Sequence, residues 1–246
     1  PLLENPNRPG PDYYKDCKDQ INTAIQKILD TDEFIAGPTV EKFEQTWSNH
    51  VQSQSCAAVG NGTFAVTLAL LACGIKPGHE VITTAHTFVS TAEAIKVIGA
   101  KPVFVDIDEY YHIDATQIQQ KITHNTKAIL FVDLYGQTPN IDDLKQIAKT
   151  NNLFLIEDAA HSAGAEYKNQ RVGNLVDLTC FSFNPIKNLG AIGDAGAVTG
   201  NKDLIDRVKM YRDHGRKTKY DYETIGFNAR IDCIQASVLL EKMQHY

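Results

Sequence analysis

Six short apolar runs, CAAVG, EVITTA, KPVFVDI, KAILFVDLY, LFLIEDAA and LTCFSF, recur along the middle of the chain, most of them rich in Val, Ile and Phe. Between most of them lies a stretch with helical spacing of its apolar residues, such as TFAVTLALLACGI, STAEAIKVIGA or NIDDLKQIAKTNN. Near-continuous apolar runs, as opposed to alternating ones, belong to strands covered on both faces. The pattern predicts an α/β fold: a three-layer α/β/α domain around a mostly parallel sheet. Ahead of it, YYKDCKDQINTAIQKILD and TVEKFEQTWSNH read as two short helices, and the chain closes on LLEKMQHY, which also reads as helix. With 246 residues and 43% hydrophobic content the chain can bury one large core.

In such sheets ligands sit outside the carboxyl ends of the strands. The polar residues just past the runs are GNGT, HTF, EDAAH and NPIKN, and the topology predicts that these four loops converge. In VGNGTFAVTLALLACG, Gly62 and Thr63 open a helix, where free N–H groups and the dipole suit a phosphate; the plain alternative is an N-cap at Asn61 or Thr63. In LFLIEDAAHSAG, a buried strand ends in Glu157 and Asp158. Alternation turns only one of them toward the loops, and at least one acid needs a cationic partner, a salt bridge to a neighbouring helix being the ordinary alternative. In CFSFNPIKNLGAIGDAGAV, Lys187 follows Pro185 and is flanked by Gly190, Gly193 and Gly196, which would let the backbone turn tightly and approach a ligand closely; read alone it is a surface lysine. Together the four loops offer phosphate donors, a carboxylate, an aromatic ring and an amine. Pyridoxal 5'-phosphate makes those four demands.

Several function classes are excluded or disfavoured. A formal net charge of -6 gives no basic field for nucleic acid or anionic lipid, and no run approaches a membrane span. The amino-terminal PLLENPNRPG carries no secretory pattern. Five scattered cysteines without CxxC spacing argue against a disulfide framework or zinc site, and His86, His112 and His124 have no ligand spacing, so no metal is expected. A reducing cytoplasm is the expected location.

The motifs FIAGPTVEKFE, VGNGT, HTFVSTAEAI, GAKPVFVDID, LYGQTPNIDDL, IEDAAHSAGAEYKNQRVGN, FSFNPIKNLGAIGDAGAV, RDHGRKTKYDYETIGFNARID and QASVLL, in that order, resemble the DegT/DnrJ/EryC1/StrS sugar-nucleotide aminotransferases. The resemblance implies the large domain of the aspartate aminotransferase fold (fold type I). Residues 1–34 would then be an amino-terminal helical segment, and residues 35–246 the cofactor-binding domain running into the start of a smaller, largely absent carboxy-terminal domain. Carried over, the family pattern makes Lys187 the lysine that forms the Schiff base and Asp158 the partner of the ring nitrogen. Gly62, Thr63 and Ser182 would hold the phosphate, and Phe88 would stack on the ring. His161 would meet the phenolic oxygen where the family more often has glutamine, and Asn228 would reach the phosphate of a second subunit, implying a homodimer with shared sites. The implied reaction moves an amino group from an amino acid, glutamate by analogy, to a keto-sugar nucleotide. The tail KNLGAIGDAGAV resembles the branch that acts at C3 of dTDP- or UDP-linked keto-deoxyhexoses, in amino-sugar biosynthesis for surface polysaccharide or secondary metabolites. Dehydratase-like chemistry, disfavoured by a lysine at 187, and a truncated non-catalytic form are the alternatives. Phe64, Asn184 and Cys233 depart from the family pattern. Arg212, His214, Arg216 and Arg230 could meet a diphosphate or a carboxylate, or simply pair with Asp213 and Asp221.

Overall fold

Every one of the six apolar runs forms a strand of one seven-stranded sheet in the computed structural model, which describes residues 17–246. In chain order the elements are α1 (Lys18–Thr31), α2 (Pro38–His50), β1 (Ser55–Val59), α3 (Gly62–Ala72), β2 (Glu80–Thr84), α4 (Ser90–Val97) and β3 (Lys101–Val105). Then come α5 (Ala115–Ile118), β4 (Thr126–Val132), α6 (Ile141–Asn151), β5 (Phe154–Asp158), the hairpin β6 (Glu166–Tyr167) and β7 (Gln170–Arg171), and β8 (Leu178–Ser182). The chain continues through β9 (Gly196–Gly200), α7 (Lys202–Arg212), the hairpin β10 (Arg216–Thr218) and β11 (Asp221–Tyr222), and α8 (Cys233–Met243). The first predicted helix begins before residue 17, and that part lies outside the described residues.

The strand order is β1-β9-β8-β5-β4-β2-β3, so the sheet is mostly parallel as expected. The exception is β9, a seventh strand the apolar pattern misses, which is antiparallel to both β1 and β8. Two antiparallel pairings in succession leave β1 parallel to β8. The strands β1, β2, β4, β5 and β8 therefore end on one edge, and β9 starts there.

Both faces of the sheet are covered. Ile129, Phe131 and Leu155 pack with Phe43, Trp47 and Leu144 on one side, while Ala128, Leu130 and Ile156 pack with Leu68, Val66 and Ile205 on the other. This period of two places alternate residues of each strand in two separate cores, which is why the runs are apolar throughout. Helix α3 is apolar nearly all round because it is wedged between the sheet, α4 and α7. On the opposite face Trp47 meets Phe181 and Phe183 edge-on, each at 5.0 Å between centroids, a geometry that adds about 0.5–1.5 kcal/mol per pair beyond burial.

Candidate active site

At the shared strand edge the four predicted loops surround one cavity of about 660 Å³. The end of β5 supplies its acid. Asp158 is 5% exposed and lines the cavity. Its Oδ1 accepts the Ala160 N–H at 3.2 Å and its Oδ2 accepts the Thr91 hydroxyl at 3.2 Å. Burial pushes this carboxyl above its usual range, opposed by those two donors and by the charge of Lys187. Glu157 faces the other side of the sheet, as alternation requires. The expected cation is not what it meets: its Oε2 accepts the Thr179 hydroxyl at 2.7 Å, and its other oxygen is buried without a conventional donor, near the carboxyl of Asp133. No ion pair among the described residues involves Glu157.

The phosphate-like end is built by α3. Asn61 is its N-cap, accepting the Phe64 N–H at 2.8 Å, while the Ala65 N–H bonds the Asn61 carbonyl. The Gly62 and Thr63 N–H groups, at the first two helical positions, have no intrahelical acceptor and border the cavity. The capping alternative and the open donors therefore coexist. Gly62 presses against Ser182 at the end of β8, and a Cβ at position 62 would lie 2.8 Å from Ser182 Cβ. The hydroxyl of Ser182 accepts the Asn184 N–H at 3.4 Å.

Lys187 sits in the loop that leaves β8 and returns as β9. Its N–H bonds the Asn184 carbonyl at 2.9 Å, and the loop closes through Ala191 N–H to Phe183 O at 2.8 Å. Gly190, Gly193 and Gly196 are not among the residues of positive φ. Their use is close approach: a Cβ on Gly190 would lie 2.8 Å from the Pro185 carbonyl oxygen, and one on Gly196 2.7 Å from the Asn61 backbone. Burial lowers the pKa of Lys187, partly opposed by Asp158. His161 is lowered as well, by burial and then by Lys187.

Gly62, Thr63, Phe88, Asp158, His161, Ser182 and Lys187 all border the same cavity, and Phe88 is 68% exposed at its wall. Asn228 does not border it. It is exposed, accepting from Arg230 Nη2 at 2.9 Å and bridging Asp213 through the backbone. The basic segment is largely paired: Arg216 and Arg230 with Asp213, and Arg212 with Glu44. Asn184, a departure from the family pattern, donates to Asp194 at 3.0 Å across the cavity mouth. Phe64 packs on Phe227, and the Cys233 thiol donates to the Ala36 carbonyl.

Reasoning from sequence did not single out Thr91, Asp133 or Tyr135. Thr91 and Asp133 are ordinary by type, and only tertiary contact reveals them. Tyr135 lines the cavity together with His86 of the expected HTF loop, the Tyr135 hydroxyl lying 3.3 Å from His86 Nε2. Tyr135 has φ of 62°, an unusual conformation for a bulky residue, and the sequence signal for it was the following Gly136.

These groups fit pyridoxal phosphate by chemistry: two open N–H donors and a hydroxyl for an anion, a buried acid for a ring nitrogen, an exposed aromatic face, and an amine biased toward its neutral form. The comparisons agree. The DegT/DnrJ/EryC1/StrS aminotransferase family matches residues 15–246, and the chain belongs to it. Among its relatives is UDP-2-acetamido-2-deoxy-3-oxo-D-glucuronate aminotransferase of Pseudomonas aeruginosa, 41% identical over 92% of this chain and 64% of that protein. Another is the pleiotropic regulatory protein of Geobacillus stearothermophilus, 41% identical over 95% of this chain and 63% of that protein. DesV of S. venezuelae, solved in complex with a ketimine intermediate, superposes with a TM-score of 0.91 at 37% identity, over 94% of this chain and 63% of that one. The structure of ntda from Bacillus subtilis, with bound cofactor PMP, gives a TM-score of 0.89 at 35% identity, over 94% of this chain and 53% of that one. The chain thus spans less than two thirds of the length of these relatives.

Proposed function

We propose that the protein is a pyridoxal phosphate-dependent sugar-nucleotide aminotransferase that takes the amino group of an amino acid, glutamate, and delivers it to C3 of a dTDP- or UDP-linked keto-deoxyhexose. The observation that carries this reading is the presence of Lys187 and Asp158 in one cavity wall with the open N–H groups of Gly62 and Thr63. The relatives that act on 3-oxo sugars support the position of amination. The reducing cytoplasm expected from the cysteines suits such a substrate.

When bound, the cofactor supplies the electron sink and the carrier of the amino group. The residues of this chain do the rest. Gly62, Thr63 and Ser182 would bind the phosphate, with the dipole of α3 favouring its charge. Asp158, held by Thr91 and the Ala160 N–H, would keep a proton on the ring nitrogen by offering a buried negative charge. Phe88 would stack on the ring, and His161 would hydrogen-bond the phenolic oxygen. Lys187 would hold the cofactor's aldehyde carbon through Nζ and, when free, the same nitrogen would move a proton between the substrate carbon and the cofactor, a role suited to an amine of lowered pKa. Asn228, exposed and away from its own cavity, serves the phosphate of a second copy in a homodimer with shared sites.

The test is a visible spectrum of the protein loaded with pyridoxal phosphate, first with glutamate and then with 3-keto and 4-keto sugar nucleotides. Glutamate should shift the absorbance to that of the aminated cofactor, and only 3-keto substrates should reverse it. An unchanged spectrum with glutamate contradicts the proposal and favours a regulatory homologue, the reading that the name of the Geobacillus relative suggests.

A further inference from the structure

Behind Asp158, on the opposite face of the sheet, lie two more buried carboxyls. Asp133 directly follows β4, and its N–H extends the ladder to the Asp158 carbonyl at 3.1 Å. In the β4–β5 register Phe131 stands opposite Glu157, so alternation puts Asp133 on the Glu157 face and Asp158 on the other. Both Asp133 and Glu157 are 0% exposed.

Each has one oxygen satisfied by a hydroxyl: Asp133 Oδ2 by Ser162 at 2.7 Å, and Glu157 Oε2 by Thr179 at 2.7 Å. The remaining two, Asp133 Oδ1 and Glu157 Oε1, are buried with no conventional donor. Neighbouring strands and a shared face bring the two carboxyls together, close enough to interact as a hydrogen-bonded pair. Two ionised carboxylates cannot satisfy one another, because both only accept. No ion pair among the described residues reaches either. The charged and titratable groups around them are Asp158 on the same strand, Lys145 on α6 acting from a distance, and the Cys180 thiol on β8, which burial keeps protonated.

We propose that Asp133 and Glu157 share one proton and act as a positioning pair, a carboxyl–carboxylate hydrogen bond that anchors Ser162 and so fixes the turn carrying His161 and closing on Asp158. The turn is held at three points. Ala160 N–H goes to Asp158, Ser162 N–H goes to the Ala159 carbonyl, and Ser162 Oγ goes to Asp133. The shared proton also spares the strand ends three adjacent negative charges, leaving Asp158 as the acid that faces the cavity. The positioning role rests on the functional reading of Asp158 and His161. The shared proton does not.

The variants Asp133→Asn and Glu157→Gln replace the proton with an amide N–H and keep the same net charge for the pair, while Asp133→Ala removes the anchor. Infrared difference spectra of the purified chain at neutral pH, wild type minus each variant, should show a protonated-acid carbonyl band that both amide variants lose. In a titration with pyridoxal phosphate, Asp133→Ala should weaken binding about tenfold, the equivalent of one lost buried hydrogen bond, and Asp133→Asn should restore it. An absent acid band, or one that survives in both amide variants, overturns the shared proton whatever the protein catalyses. If Asp133→Ala does not fold, the two amide variants still decide that point. A normal band with wild-type cofactor affinity in Asp133→Ala, or in Ser162→Ala should Asp133→Ala not fold, overturns the positioning role alone.

Discussion

The Thr91 hydroxyl, on the first turn of α4, donates to Asp158 Oδ2 at 3.2 Å across a junction where both side chains are buried. A helix and a strand distant in sequence thereby share one acid. Thr91→Val keeps the shape and deletes the donor, leaving a carboxylate short of one partner at a cost of about 1–3 kcal/mol. Cofactor affinity should fall about tenfold or more, and Thr91→Ser should recover most of it. A spectrophotometric titration with pyridoxal phosphate measures both.

Gly62→Ala isolates the phosphate end. Alanine is the better helix former, by up to about 1 kcal/mol, so propensity alone forecasts a gain. The new Cβ would lie 2.8 Å from Ser182 Cβ and 3.1 Å from its Oγ, however, and overpacking of this kind costs about 1–3 kcal/mol. The contact should win. Stability in urea should drop slightly, and affinity for pyridoxal phosphate should drop more than stability, because the displaced Ser182 belongs to the proposed cradle.

Stability should decline as pH rises toward neutrality. Burial raises Glu157 to about 7 and raises Asp133 and Asp158 too. A carboxyl with a folded pKa above its unfolded value binds its proton more tightly when folded. Its contribution is complete below the unfolded carboxylate range and is lost as pH climbs through the folded value. For Glu157 that window runs from the usual carboxylate range to about 7 and is worth about 3 kcal/mol. His50 and His161, lowered by burial, act in the opposite sense by adding stability as pH rises through their range. Urea unfolding of the wild type and Glu157→Gln across pH 4 to 8 isolates the Glu157 contribution, since the variant should lose that share of the carboxyl slope.

Lys187 should react as an amine at lower pH than ordinary lysines, because burial lowers its pKa. Pulse labelling of the cofactor-free chain with an amine-selective reagent, read by peptide mass spectrometry, should give a rate-versus-pH midpoint below that of ordinary exposed lysines. Coincident midpoints would contradict it.

The legible part of this protein is what apolar patterning and loop chemistry encode. Six strands stand out because Val, Ile and Phe fill both faces, and their polar followers meet because parallel strands must end together. Strand β9 escapes because GAVTG is built of small residues, with only Val198 and Thr199 of strand-forming type. Helix α7 escapes because Ile205 and Val208 are the only buried positions in a charge-rich stretch. The acid pair escapes for another reason. The sequence demands a partner for a buried acid but cannot say that a second acid and a proton will supply it. Thr91 is likewise ordinary until the sheet brings α4 beside β5. The glycines near Lys187 are legible as important but not in kind, since close approach and positive φ leave the same letter.

Borohydride reduction of the protein with pyridoxal phosphate, followed by peptide mapping, reads out the role of Lys187. A stable pyridoxyl group should form on Lys187 alone, and a Lys187→Ala variant should take up none and show no response to glutamate. Label spread over surface lysines, or a Lys187→Ala variant that still exchanges amino groups at the wild-type rate, would contradict it.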